Sequence, residues 1–297
     1  MTRKKGKTEV VAPERLGVAG YVVLIIVVIL FLFPIFWLVS TSLKPLPEWV
    51  ASPPVFISTR YSLTNYRILF NPRSVEAEFG FTAPAFSAWQ SLIDSAICAG
   101  LGTALAMTVG VLAAFAISRH KYGGDIYPIF VLSARMVPPV VAMIPLIVLY
   151  SYLGLLDTYI GLTLAYGTFT APYAVWMSKS FIDEIPKELE EASMIDGLSE
   201  LAAHFKVTFP LMKGGILATG LFVLTLNWSE FMLALTLTHT KVTTIPVQML
   251  KYFSGTSGLL YGPQAALGTV AIIPLVLFSY FIHRYLARGL TFGAIKG

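Results

Sequence analysis

The sequence is short of charge. Asp, Glu, Lys and Arg make up 12% of its 297 residues, about half of the roughly 25% usual in soluble domains. Hydrophobic residues make up 56%, and mean hydropathy is +0.74. That balance points to an integral membrane protein. Cysteine is almost absent. The single Cys98 lies in an apolar run, which excludes a disulfide framework and a thiolate metal site. The histidines (His120, His204, His239 and His283) are dispersed and offer no ligand spacing. No H-E-x-x-H or G-x-S-x-G occurs, and Gly6-Lys7-Thr8 lacks the rest of a phosphate loop, because Met1 stands where its first glycine belongs. Without a convergent acid/base or nucleophile set, the chain is expected to be no enzyme and to bind no cofactor or metal itself.

Long apolar runs are what it does have. Val22 to Val39 is nearly uninterrupted and long enough to cross a bilayer. The following Ser40-Thr41-Ser42-Leu43-Lys44 lacks a small-x-small cleavage site, so this reads as an uncleaved first span. Further spans are expected at about 90–118, 126–153, 158–181, 213–237 and 265–288. The fold class is therefore all-α, an integral membrane protein with six transmembrane helices. Pro138 and Pro139 remove adjacent backbone donors, so the third span should be kinked or broken.

Placement of Lys and Arg sets the orientation. With the N-terminus inside, 14 fall in the cytoplasmic segments and 6 in the outer ones, leaving Arg135 within the membrane. This bias puts both termini in the cytoplasm. Residues 1–15, with Arg3, Lys4, Lys5, Lys7 and Arg15, are then a cytoplasmic basic tail. Residues 44–88 form a long outer loop, and 182–212 lie in the cytoplasm.

That cytoplasmic loop reads as a helix, a glycine hinge and a second helix. Pro186 suits a first turn, Glu188, Glu190 and Glu191 sit near the positive dipole end, and Gly197 fits a left-handed closing residue. Ser199 can cap a second helix from Glu200 to about Phe209, which Pro210 stops. Leu189, Ala192 and Ile195 share one apolar stripe. Three ionisable residues lie in apolar runs: Asp94, Arg135 and Glu230. They either pin helices together or line a solute path, and Arg135 is expected to be neutralised by Glu230, Asp94 or both.

Glu191-Ala192-Ser193, Asp196-Gly197 and Phe209-Pro210-Leu211 resemble the "EAA" loop of ABC-importer permeases, with Ser193 for the second alanine and Phe209 for the usual leucine. The likeness runs along most of the chain. Thr64-Asn65-Tyr66, Leu153-Gly154-Leu155-Leu156-Asp157-Thr158, Trp228-Ser229-Glu230-Phe231 and the tail from Arg284 to Gly297 are similar to segments of the carbohydrate-importer permeases. Asp94-Ser95 stands where that family has Asn-Ser. The resemblance implies a permease domain at 16–297 in a bacterial inner membrane, forming half of a translocation pathway for a sugar, glycoside, polyol or glycerol-phosphate-like solute. It implies a second permease subunit as heterodimer partner, two ATPase subunits that bind the ATP, an extracytoplasmic solute-binding protein, surrounding lipid and no nucleic acid. Glu191, Ala192, Ser193, Asp196 and Gly197 would couple to the ATPase; Arg135, Asn227, Trp228 and Glu230 would line the solute path. A secondary transporter is the alternative. It would carry its own coupling-ion site, and the EAA-like loop would have no task.

Overall fold

The computed structural model describes residues 17–71, 87–124, 126–136, 138–254 and 258–293. The basic tail at 1–15, the latter part of the outer loop and the last four residues lie outside this set. Helix α1, Val18–Leu43, is apolar on every side, and nearly all its side chains from Tyr21 to Phe36 are exposed. An all-round apolar helix of that length needs lipid. Its far end is stitched to the segment that follows, whose described part carries short helices α2 (Leu46–Trp49) and α3 (Thr64–Phe70). The Asn65 amide donates to the carbonyls of Ser42 and Lys44, both at 2.9 Å, and the Trp49 indole donates to Lys44 O at 2.9 Å. These bonds satisfy carbonyls that a helix end leaves without partners.

Helices α4, Ala88–His120, and α7, Tyr159–Asp183, form the most extensive pair. Small residues let them close together: a Cβ on Gly110 would lie 2.4 Å from Ala174 Cβ. Between them in sequence, α5 (Tyr127–Ser133), a 3-10 turn (Ala134–Met136) and α6 (Pro139–Tyr152) form one broken unit. Its two halves differ in direction by 88°, as the prolines predict.

A cytoplasmic-loop candidate follows as α8 (Lys187–Ile195), α9 (Glu200–Ala203), a π-helical turn (His204–Thr208) and α10 (Phe209–Leu211). After a bend of 78° the chain enters α11, Lys213–Trp228. Then come α12 (Met232–Leu237), α13 (Ile245–Lys251), a two-residue antiparallel hairpin pairing Phe253 with Leu259, and α14 (Tyr261–Gly293).

Three helices are long and apolar enough to span a membrane singly (Val18–Leu43, Ala88–His120 and Tyr261–Tyr280), and two bent pairs raise this to five. Two details differ from the sequence reading. The run expected at 213–237 is not one helix, since Ser229–Phe231 separates α11 from α12. Nor does Pro210 stop the second loop helix. It sits at the start of α10, beyond a π turn whose wider bonding already departs from the i→i−4 ladder. The 25 residues of α7 are long enough to cross. Their lower apolarity reflects position: Gly161, Ala165, Thr170, Ala174 and Ser178 are buried against protein rather than lipid.

Candidate coupling segment and buried cavity

The α8 segment is closed at both ends by its own sequence. Pro186 stands at the N-cap, with Glu188 and Glu190 in the first turn. At the other end Leu198 N–H bonds Ser193 O at 3.2 Å and Gly197 N–H bonds Met194 O at 3.0 Å. This paired closure requires the left-handed backbone that Gly197 adopts at φ +93°. Ser199 then caps α9 by accepting from Ala202 N–H. Glu191, Ala192, Asp196 and Gly197 are all exposed, and Ser193 is half-buried with its hydroxyl donating to Glu190 O. Leu189, Leu201 and Phe205 are exposed too, and Ile195 is 87% exposed. The segment thus shows a small, glycine-hinged apolar face that nothing else among the described residues covers.

Its inner side is polar and buried, and there the sequence reading missed the principal residues. Glu190 Oε2 pairs with Arg119 Nε at 2.7 Å, with the two side chains only 9% and 5% exposed. The same arginine donates to Ile185 O at 3.1 Å. Glu190 Oε1 accepts from the Thr208 hydroxyl, and His204 Nδ1 lies 3.9 Å from it. His204 is fully buried, its ring 3.9 Å from that of Phe115, and neither ring nitrogen has a hydrogen-bond partner. Burial pushes its pKa below the ordinary value; Glu190 pulls it up and Arg119 pushes it down. The sequence signal was thin. Arg119 ends an apolar run and looked like one more cytoplasmic charge, and Glu190 looked like any first-turn acid.

The second candidate constellation divides. Arg135, Asn227 and Glu230 line one cavity of about 70 Å³ with Tyr166, Phe169, Thr170, Leu226 and Leu233, room for a few waters. Arg135 lies over Tyr173 and Phe169, its guanidinium carbon 5.0 and 5.9 Å from the ring centres. Its Nε and the Asn227 Oδ1 are buried without hydrogen-bond partners. Glu230 is occupied otherwise: its carboxylate caps α12, accepting from Leu233 N–H at 3.0 Å and Ala234 N–H at 3.2 Å. Among the described residues Arg135 makes no ion pair.

Trp228 does not join the cavity. It is buried in the cluster with Ile68, Leu69 and Tyr252, donating to Ala271 O at 3.1 Å. Asp94 is also engaged elsewhere. Its carboxylate accepts from Gln90 and Tyr159 at 2.7 Å each and from Thr243 N–H at 2.7 Å, while Ser95 accepts from Ile245 N–H at 2.8 Å. Asp94-Ser95 therefore bolts the start of α13 to α4. Asp157 is a similar stitch, accepting from the N–H groups of His239, Thr240, Lys241 and Val242. Burial alone would raise its pKa; these four donors instead hold its carboxyl well below the usual range.

Residues 106–292 match the family of the binding-protein-dependent transport system inner membrane component. The chain is 32% identical to the trehalose/maltose transport system permease protein MalG of Thermococcus litoralis, over 92% of this chain and 94% of that one. It is 32% identical to the trehalose transport system permease protein SugB of Mycobacterium tuberculosis, over 90% and 93%. In fold it is similar to a chain of a bacterial ABC transporter involved in import of the acidic polysaccharide alginate (TM-score 0.69, 20% identity, 91% and 95% covered). The chain is a membrane permease that belongs to the binding-protein-dependent transport system inner membrane component family.

Proposed function

We propose that this chain is one half of the pathway of an ABC importer for a sugar or glycoside, with α8–α10 as the joint to the ATPase. The observation that carries this is the exposed, glycine-closed apolar face of α8 standing on a buried polar footing. A short protruding helix with a few apolar anchors suits a groove on a partner. The solute class is carried over from the relatives named above. The finer reading is six spans in an inner membrane, with α5–α6 and α11–α12 each counting as a single crossing and α8–α10 outside the bilayer, and with residues 16–297 as one permease domain. Both termini lie in the cytoplasm, as does the tail at 1–15; the lysine and arginine bias supports this orientation. A second permease chain completes the pathway, an extracytoplasmic binding protein delivers the solute, and ATP binds to two partner ATPase subunits. Arg135, Asn227 and Glu230 face the solute path from their shared cavity.

The test is Ile195→Asp in the co-expressed complex. A charge on the exposed anchor should leave the permease in the membrane and reduce copurification of the ATPase by tenfold or more. Full retention of the ATPase would overturn the docking assignment.

A further inference from the structure

We propose that Glu190, held by Arg119, is the positioning residue that transmits ATPase movement from α8 to the membrane helices. This rests on the docking of α8 just described. Glu190 occupies the side of α8 turned away from Ile195, so a partner pressing on the exposed face leaves this carboxylate engaged. One oxygen is tied to the last turn of α4 through Arg119, which reaches on to Ile185 O at the end of the α7–α8 connection. The other is tied through Thr208 to the π-helical turn that leads into α11. Three polypeptide segments thus converge on one side chain, and α4 and α11 are packed against α7 and against each other.

The physical case turns on what a buried ion pair does and does not provide. Taking a guanidinium and a carboxylate out of water costs much of what their attraction returns, so such a pair is weak evidence for stability. Its bonds are directional and charge-assisted, however, and resist sliding. An apolar contact at the same place would hold the segments together while letting α8 slip over α4. The neighbouring His204, buried and in contact with Phe115, fills the remaining space, its Nδ1 3.9 Å from the carboxylate. A hinge with one tight polar joint moves as a lever rather than as a loose flap.

The experiment uses the whole complex, with both permeases and the ATPase, reconstituted in vesicles with the solute-binding protein and trehalose as the probe solute. Glu190→Gln and Arg119→Gln are each expected to retain the ATPase and its basal hydrolysis. Stimulation of hydrolysis by the binding protein and solute should fall at least fivefold, as should trehalose uptake per ATP. The double variant should be no worse than either single one, because both remove the same link. Should the Gln variants fail to assemble, Arg119→Met with Glu190→Met fills the space with apolar side chains. This pair is expected to assemble and hydrolyse ATP but to remain uncoupled. Normal uptake per ATP in an assembled Glu190→Gln or double-Met complex would overturn the proposal. Loss of the ATPase from Ile195→Asp with normal coupling in Glu190→Gln would leave the docking face standing and sink the Glu190 link alone. If Ile195→Asp keeps its ATPase, the docking reading itself has failed.

Discussion

At the scale of single residues, several carboxylates inside this protein are held by hydrogen-bond donors rather than by opposite charges. Asp157 accepts from four backbone N–H groups, and Asp94 has two side-chain donors and one backbone donor, with no counter-ion within 4 Å among the described residues. An asparagine there still accepts through its carbonyl, and its amide can face the Tyr159 hydroxyl, whereas a leucine leaves buried donors unmatched at about 1–3 kcal/mol each. Asp94→Asn should therefore stay within a few degrees of the parental Tm in detergent, and Asp94→Leu should fall well below it. Equal melting of the two would show that the donors are satisfied otherwise.

His204 carries the second residue-scale prediction. Its folded pKa is lowered chiefly by burial, so the unfolded segment takes up a proton that the folded one refuses. Stability of the loop is then full above the unfolded value of about 6.5, and declines as pH falls from there toward the folded pKa. Amide exchange of residues 187–211, corrected for intrinsic rates, should quicken between pH 7.5 and 5.5 in the parent. In His204→Phe that pH dependence should flatten, and an unchanged dependence would exclude the histidine as its source.

At the scale of elements, the close approach of α4 and α7 depends on positions without a Cβ. Gly110 has none to spare: the added atom would meet Ala174 Cβ at 2.4 Å and its backbone at 2.9 Å. Gly100, on the same helix, has nothing within 4 Å. Gly110→Val should abolish accumulation of the folded chain, whereas Gly100→Ala should be neutral or stabilise it by about 0.5–1 kcal/mol. Gly197 poses a different element-scale question. A Cβ there also meets nothing within 4 Å, so the obstacle inside the chain is the positive φ alone. Gly197→Leu should cost roughly 1 kcal/mol or more of local stability while leaving membrane insertion intact, as judged by membrane fractionation. A loss of uptake far beyond that cost would assign the open space above Gly197 to the docked ATPase.

At the scale of the whole molecule, the orientation predicts an accessibility pattern. Single cysteines placed at 57 and 241, in a Cys98→Ala background, should react with a membrane-impermeant maleimide from outside intact cells. A cysteine at 200 should react only after the membrane is opened. Labelling at 200 from outside would invert the topology and remove the coupling segment from the ATPase side. The break at Pro138 and the gap at Ser229–Phe231 border one cavity, because Arg135 and Glu230 each sit beside a broken helix. Irregular backbone within a membrane is tolerated only where protein or water satisfies it, and such places collect polar side chains.

The amino-acid sequence by itself determined the class of the molecule: length of apolar runs, scarcity of charge, proline breaks and the Gly197 closure are local properties that need no partner to be read. Asn65 and Asp157 were legible as motif residues, yet their bonding was not, because the carbonyls that Asn65 reaches and the N–H groups that Asp157 accepts from lie at or just beyond the ends of other helices. The same holds for Asp94, whose expected tie to Arg135 gave way to Thr243, 149 positions away in the chain. Glu190 shows the limit most sharply. One residue from the exposed Glu191, it has the same charge and the same local helix, and 71 positions separate it from Arg119. Which of two adjacent glutamates is buried depends on the rotation of α8 over the end of α4, and that rotation is set by packing between segments rather than by either residue's own propensity.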